Sequence, residues 1–316
     1  MGAGLLAGPL AFAQTGRKFS VAVLFAGEEQ DDEPAMRPFF EEMRRLGWSE
    51  STNLAYERHY GRGTREYMEG LAKSAAGRGP DLIYATTANI AQLVLKETSS
   101  IPVVFTAVSD PVAAGLVSSL EKPGGNATGA FPSAAGVVRK RLELVRAAFP
   151  RVKRFGLVLD RRSTDYLRQK GAHEDSARLL GLELAVAEFV NFEAVARLFA
   201  NFRKQEVTAA VLTPSVALLA RRREVVATAL RNRVALAAHR VEWAEAGAVM
   251  TYGAEITETL KRSAAIVDRI LRGVRPADIP VEQTTKFELV VNRRTANALG
   301  LAVPLTLLRQ ADRIIE

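Results

Sequence analysis

From residue 20 onward the chain alternates short apolar runs with longer stretches in which apolar residues recur every three or four positions. The run SVAVLF, residues 20–25, is uninterrupted and brief, as expected of a strand buried on both faces of a parallel sheet. A helical period covers residues 34–46 and stops at Gly47, a residue suited to end a helix. NLAYERHY then alternates apolar and polar positions, which predicts a strand nearer a sheet edge. A polar helix over 64–77 follows, then the turn Gly79-Pro80-Asp81, the buried strand LIYAT, a helix over 88–97, and the apolar run IPVVFTAV.

The second half repeats this order. RFGLVLD predicts a strand, 164–180 a helix stopped by Gly181, LELAVAEFV a strand, 193–204 a helix, AAVLT a strand, 215–231 a helix and VALAA a strand. RRLGW and RLLGLEL occupy equivalent steps in the two halves: helix, Leu-Gly stop, strand. Strands alternating with helices at this spacing make right-handed βαβ units on a parallel sheet covered on both faces. The expected fold class is therefore α/β, with two doubly wound parallel-sheet lobes joined by a multi-strand hinge. The turn-rich segment 122–128, with Pro123-Gly124-Gly125, marks the first expected passage between lobes. GAVMTYG, 247–253, would return the chain, and IPVEQTTKFELVV, 279–291, would cross once more. The first lobe is expected over 18–125 plus 250–280, the second over 130–247 plus 287–316.

Composition sharpens this picture in three ways. At 316 residues the chain exceeds what one core usually organises, which agrees with two lobes. The absence of Cys excludes disulfides, thiolate metal sites, a Cys nucleophile and a lipidated N-terminal Cys. The net charge of +8 comes from basic residues scattered among acids, with Arg161-Arg162, Arg221-Arg222-Arg223 and Arg293-Arg294 far apart, so no nucleic-acid groove is expected. The opening MGAGLLAGPLAFAQ is small and apolar and carries Ala11-Phe12-Ala13 before Gln14, the pattern of a secretory cleavage site. Residues 1–13 are accordingly read as a signal-peptide remnant, and the mature protein as exported, soluble and not a lipoprotein.

Enzyme signatures are missing. The turn after the first apolar run, FAGEEQDD, lacks G-x-G-x-x-G, and the chain contains neither a P-loop nor a G-x-S-x-G elbow. His59, His173 and His239 lie whole elements apart, so no metal site is expected, and the polar neighbours of the first two place them at the surface. No cofactor grip is evident either. Polar residues instead collect where strands end, which is where open parallel sheets bind ligands. These are Glu28, Thr86, Thr87, Ser109 and Asp110 in the first half, and Asp160, Thr213, Ser215 and Glu242 in the second. Phe25, Phe131, Trp243 and Tyr252 could stack on a ligand. Helix capping competes as the explanation for Asp110, Thr87 and Ser215, and an ion pair with an arginine competes for Asp160.

Several stretches resemble the solute-binding proteins of ABC-type importers with the periplasmic-binding-protein type I fold, in the branch associated with tryptophan- and phenylalanine-like ligands. The resemblance rests on FFEEMRRLGWSESTNLAYERHYGRG, on GPDLIYATTANIAQLVLKETSSIPVVFTAVSDPVAAGLVSSLEKPGGNATG, on KRLELVRAAFP and EWAEAGAVMTYG, and on the C-terminal AAIVDRILRGVRPADIPVEQTTKFELVVNRRTANALGLAVPLTLLRQADRIIE. It implies a non-catalytic monomer that captures a small solute between two lobes and delivers it to a permease in the cytoplasmic membrane. By position, the first-lobe pocket loops fall on residues 25–28, 86–89 and Ser109-Asp110. The chain departs from the family at DRRSTD, where an Asn-Pro type turn is usual, and at TTANI, where a Gly-Thr-Pro type loop is usual. For an amino-acid-like ligand, Asp110 or Asp160 would meet the ammonium, Thr86, Thr87 and Ser109 the carboxylate, and Phe25, Phe131 or Tyr252 an apolar side chain. An extracytoplasmic sensor that presents solute to a receptor, and an enzyme using Glu28 or Asp160 as a base, are the competing readings.

Overall fold

The computed structural model describes residues 17–27, 29, 35–62, 65–106, 108, 110–132, 136–163 and 166–316. The segment read as a signal remnant lies outside them. The elements run β1 (Phe19–Phe25), α1 (Arg37–Arg45), β2 (Leu54–Tyr60), α2 (Arg65–Arg78), β3 (Leu82–Ala85), α3 (Ala88–Glu97), β4 (Val103–Phe105) and β5 (Ala127–Pro132). There follow α4 (Val137–Ala148), β6 (Arg154–Asp160), α5 (Tyr166–Leu180), β7 (Glu183–Phe189), α6 (Val195–Lys204), β8 (Ala209–Leu212), α7 (Val216–Ala220), α8 (Arg222–Arg231) and β9 (Ala235–Ala238). The chain closes with α9 (Val241–Glu245), β10 (Met250–Ala254), α10 (Ile256–Leu271), β11 (Glu282–Thr284), β12 (Phe287–Asn292), α11 (Arg293–Ala298), α12 (Leu305–Leu308) and β13 (Arg313–Ile315).

Among the described residues these strands form two sheets, ordered β11-β5-β4-β3-β1-β2 and β13-β12-β10-β9-β8-β6-β7. The internal repeat is visible here: β2-β1-β3-β4-β5 and β7-β6-β8-β9-β10 follow the same order, all parallel. The order reverses between β1 and β3 in one lobe and between β6 and β8 in the other. β12 and β13 are the exceptions in direction, β12 running antiparallel to β10 and β13 parallel to β12.

Each sheet is apolar on both faces because each face carries helices. In β1, Val21, Val23 and Phe25 pack toward α1 and α10, while Ala22 and Leu24 pack toward α2 and α3. In the second lobe Leu157 and Leu159 face the side covered by α4 and α5, while Val158 faces that of α6 and α8. Helix α10 contributes Leu260, Ala264, Val267 and Leu271, spaced three or four apart, to the first-lobe core. Burying four such side chains contributes on the order of 5–10 kcal/mol before chain entropy is counted.

Three corrections to the sequence reading follow. β5 belongs to the first sheet, so Pro123-Gly124-Gly125 turns the chain into that sheet and the first passage comes after Pro132. β10 belongs to the second sheet, so residues 250–254 lie in the second lobe and the return passage is at Glu255. The expected helix over 215–231 is two helices, interrupted at Arg221, where φ is −108° and ψ 30°. The third passage, Thr285-Lys286, falls inside the segment that the sequence assigned to it.

Two of the passages are bonded to each other, and the third leaves from a strand end held beside them. Thr284 is in register with Pro132, which sets the end of β11 beside the end of β5. Glu255 donates its backbone N–H to the Lys286 carbonyl at 3.0 Å, and their side chains form an ion pair at 3.6 Å. Thr259 and Thr284 join through their hydroxyls at 2.7 Å. At Gly253 a Cβ would stand 1.8 Å from the His239 carbonyl oxygen, so only glycine lets β10 and the end of β9 approach this closely next to the hinge. Gly253→Ala should therefore destabilise the protein by about 3 kcal/mol or more, read as a lowered urea midpoint; an unchanged midpoint would show that the backbone yields freely there.

Candidate ligand-binding site between the lobes

The two strand ends at each order reversal are built alike. In the first lobe Thr86, just past β3, donates its hydroxyl to the Leu24 carbonyl of β1 at 2.9 Å, and its backbone N–H reaches the same oxygen. In the second lobe Thr213, just past β8, donates to the Val158 carbonyl of β6 at 3.0 Å, again with its own N–H on the same oxygen. A small hydroxyl residue thus closes each sheet where neighbouring strands diverge, just ahead of a helix N-terminus. Thr87 then caps α3 by accepting the Ile90 N–H at 3.4 Å, and Ser215 caps α7 by accepting that of Leu218 at 3.2 Å. The capping explanation holds for both.

Asp160 is committed to structure. It is 7% exposed; one oxygen accepts the Ser215 hydroxyl at 2.6 Å, and the other accepts the Arg162 backbone N–H at 3.0 Å and its Nε at 3.3 Å. Both lone-pair sets thus serve the loop itself, and the ion-pair reading of this residue is the one realised. Asp110 differs. It is exposed, and its Oδ1 accepts the N–H groups of Val112 and Ala113 at 3.1 and 3.0 Å, while Oδ2 has no partner among the described residues. The expected helix after it is only a turn over 111–115, because Gly115 at φ +69° ends it. Gln92 of α3 ties this turn to its neighbour by donating to the Ala114 carbonyl at 2.8 Å. Glu28 and Ser109 lie outside the described residues.

The aromatic candidates separate by burial. Phe25 is 1% exposed and stacks on Tyr60 at 4.9 Å; Phe131 is 3% exposed within the first-lobe core, and Trp243 is wholly enclosed in the second. Tyr252 alone of the four is partly exposed, stacked on Phe287 with centroids 5.7 Å apart. Strand alternation could not reveal this, because the sheets bury both faces.

Beside Tyr252 the second lobe holds groups that sequence reasoning missed. A small cavity of about 70 Å³ at the ends of β9 and β10 is lined by His239, Glu242, Thr251, Glu255 and Glu288. Burial opposes the charge of Glu242, but the Arg240 guanidinium it pairs with holds its carboxyl below the usual range. Burial and the neighbouring Glu255 push Glu288 upward instead. Behind them Arg141, 3% exposed on α4, donates Nε to the Tyr252 carbonyl at 2.7 Å, and burial lowers it to about 10. His173, expected at the surface, is fully buried, because its helix α5 packs that face against α4. Burial is the main cause that brings it down to about 4, with Arg141 adding to it, although its contact with the Gln169 carbonyl at 2.7 Å works the other way. His239 is likewise pushed well down by burial, then by Arg141, Arg240 and His173. The only sequence signal for these histidines was their separation from any metal-binding spacing.

Comparison with known proteins gives this arrangement a family. The family model described as "ABC transporter substrate binding protein" matches residues 20–315. The chain belongs to that family. Among curated proteins, this substrate-binding protein is 26% identical over 273 residues to a tyrosine-binding protein of Clostridioides difficile (strain R20291), covering 84% of this chain and 76% of that one. Among solved structures, a conserved domain protein from Vibrio cholerae shares its fold with a TM-score of 0.87 at 24% identity, over 94% of this chain and 100% of that one. An ABC domain in complex with L-Trp from Streptococcus pneumonia does so with a TM-score of 0.85 at 20% identity and the same coverage. The relatives are substrate-binding proteins rather than enzymes.

Two outcomes are expected from this geometry. Asp160→Ala should cost about 2 kcal/mol of folding stability by stranding Ser215 and Arg162, and Ser215→Ala about 1 kcal/mol, both read by chemical denaturation; a neutral Asp160→Ala would overturn its structural assignment. His173 binds its proton in the unfolded chain near pH 6.5 but in the folded one only near 4. Its contribution is therefore complete above pH 6.5 and lost as pH falls toward 4, by up to about 3 kcal/mol. His173→Gln should flatten that part of the stability–pH curve relative to the parent, and an unaltered slope would count against a buried neutral ring.

Proposed function

We propose that the protein works outside the cytoplasmic membrane as the receptor of an ABC importer for an aromatic amino acid of the tryptophan or tyrosine kind, which it delivers to the permease. The single observation that carries this reading is the likeness to the tyrosine-binding protein across 84% of the chain. The uncommitted polar groups at the strand ends agree with it.

In this reading the ligand ammonium meets Oδ2 of Asp110, the one strand-end aspartate with an oxygen to spare. The carboxylate sits at the N-terminus of α3 beside Thr86 and Thr87, where the helix dipole favours an anion. Ser109 belongs to the same loop as Asp110. From the second lobe, Tyr252 offers a partly exposed ring to the aromatic side chain, and Thr213, Ser215 and Glu242 line the facing rim. Phe25 and Phe131 support the wall from within. Ligand held by both lobes stabilises the closed arrangement by its differential affinity for it, with Glu255 and Thr285-Lys286 taking up the backbone change.

Thermal-shift measurements with L-tryptophan and L-tyrosine test the proposal. Ligand at a hundred times its Kd adds about 2.7 kcal/mol to folding and should raise Tm by several degrees. Asp110→Asn should weaken binding about tenfold or more through loss of a charge-assisted hydrogen bond. No shift with any aromatic amino acid would sink the reading, and full affinity in Asp110→Asn would move the ammonium elsewhere.

A further inference from the structure

A separate cavity of about 650 Å³ opens on the outside of the first lobe, between α1 and the edge strand β2. That volume lies within the range of small-molecule sites, roughly 300–1,000 Å³. Phe40, Trp48 and Tyr56 line it with aromatic surface, the rings of Phe40 and Tyr56 meeting edge to face at 5.0 Å. Arg58 closes one side. Its guanidinium grips Glu50 with two hydrogen bonds at 2.8 and 3.0 Å and lies over the Phe40 and Tyr56 rings at 5.1 and 5.2 Å, so that glutamate is neutralised.

The other two arginines of the lining form no such fork, although Arg44 adds to the charge that holds Glu50 down and Glu29 also borders the cavity. Arg37 and Arg44 stand seven positions apart on α1, two helical turns and about 10 Å along one side. Neither side chain makes a hydrogen bond or ion pair among the described residues. A third feature points the same way. The Tyr56 hydroxyl is shut off from solvent and has no hydrogen-bond partner among the described residues, although the residue borders the cavity. Burial first, and the charge of Glu50 second, push this phenol upward, so it remains an O–H donor at neutral pH. A shielded donor of this kind is costly unless something accepts from it.

We propose that this groove is a second binding site, distinct from the cleft between the lobes, for a small aromatic carboxylate. Its ring lies against Phe40, Trp48 and Tyr56, its carboxylate meets Arg37 or Arg44, and the Tyr56 hydroxyl donates to it. Only Trp48 and Trp243 are tryptophans, and Trp243 is enclosed in the other lobe, so a fluorescence change on binding reports the groove itself.

The test is a titration of the full chain with 4-fluorobenzoate, which has no ammonium for the cleft, followed by ¹⁹F NMR and tryptophan fluorescence with saturating L-tryptophan held in the cleft for the NMR arm. Saturable binding with one equivalent is expected, not displaced by L-tryptophan. The exposed-site double variant Arg37→Ala/Arg44→Ala should weaken it about tenfold or more. Tyr56→Phe should weaken it several-fold, and Trp48→Phe should remove the fluorescence change while circular dichroism melts confirm folding. Absence of saturable binding, displacement by L-tryptophan, or unchanged affinity in the double arginine variant would overturn the proposal. So would loss of importer function in that variant with 4-fluorobenzoate binding intact, which would mark the arginines as a protein-docking surface.

Discussion

The segment from Glu282 to Asn292 belongs to both sheets at once. Its first part pairs with β5 in one lobe and its second part with β10 and β13 in the other, with only Thr285 and Lys286 between. Neither sheet can complete its edge without the other being near. The return passage at Glu255 is bonded to Lys286, so these two crossings are tied to each other rather than independent tethers. The Glu255–Lys286 backbone bond and the Thr259–Thr284 hydroxyl pair are the local ties at these crossings.

Given that constraint, the repeated strand order decides what the cleft contains. Both lobes present their order reversal, and at each reversal a threonine hydroxyl is turned back onto the first strand of its sheet. Much of the polar character seen at strand ends is therefore consumed in finishing the sheets and capping helices. Asp160 illustrates the rule, since its two oxygens hold Ser215 and Arg162. Asp110 is the departure from it, with a carboxylate oxygen that capping leaves over. Ligand selectivity in such a site falls on a few groups, and those few are found by subtracting what the fold uses.

The second lobe adds an electrostatic feature. Arg141, His173 and His239 share one interior region, and burial together with mutual repulsion keeps both rings neutral there. Arg141 anchors the Tyr252 carbonyl, and so positions the strand that carries the only partly exposed aromatic candidate. Glu242, Glu255 and Glu288 line one small cavity with His239 and Arg240, so carboxylates and basic groups meet at these strand ends.

What the residue pattern determined by itself was local and periodic. Apolar runs of four to seven residues, Gly-terminated helical stretches and their repetition along the chain specify two doubly wound lobes, because a βαβ unit can be read from periods alone. The helix over residues 88–97 and the strand RFGLVLD fall where their periods end. Lobe membership was a different matter. β5 and β10 look alike from either side of a hinge, and only their hydrogen-bond pairing, with β4 and β11 for the one and with β9 and β12 for the other, assigns them. The break at Arg221 has no breaker residue to announce it. Burial of Phe25, Phe131 and His173 likewise depends on which helices cover each face, which no local period encodes. Nor could spacing tell the spent carboxylate of Asp160 from the spare oxygen of Asp110, since both precede a turn and differ only in what tertiary structure brings within hydrogen-bond reach.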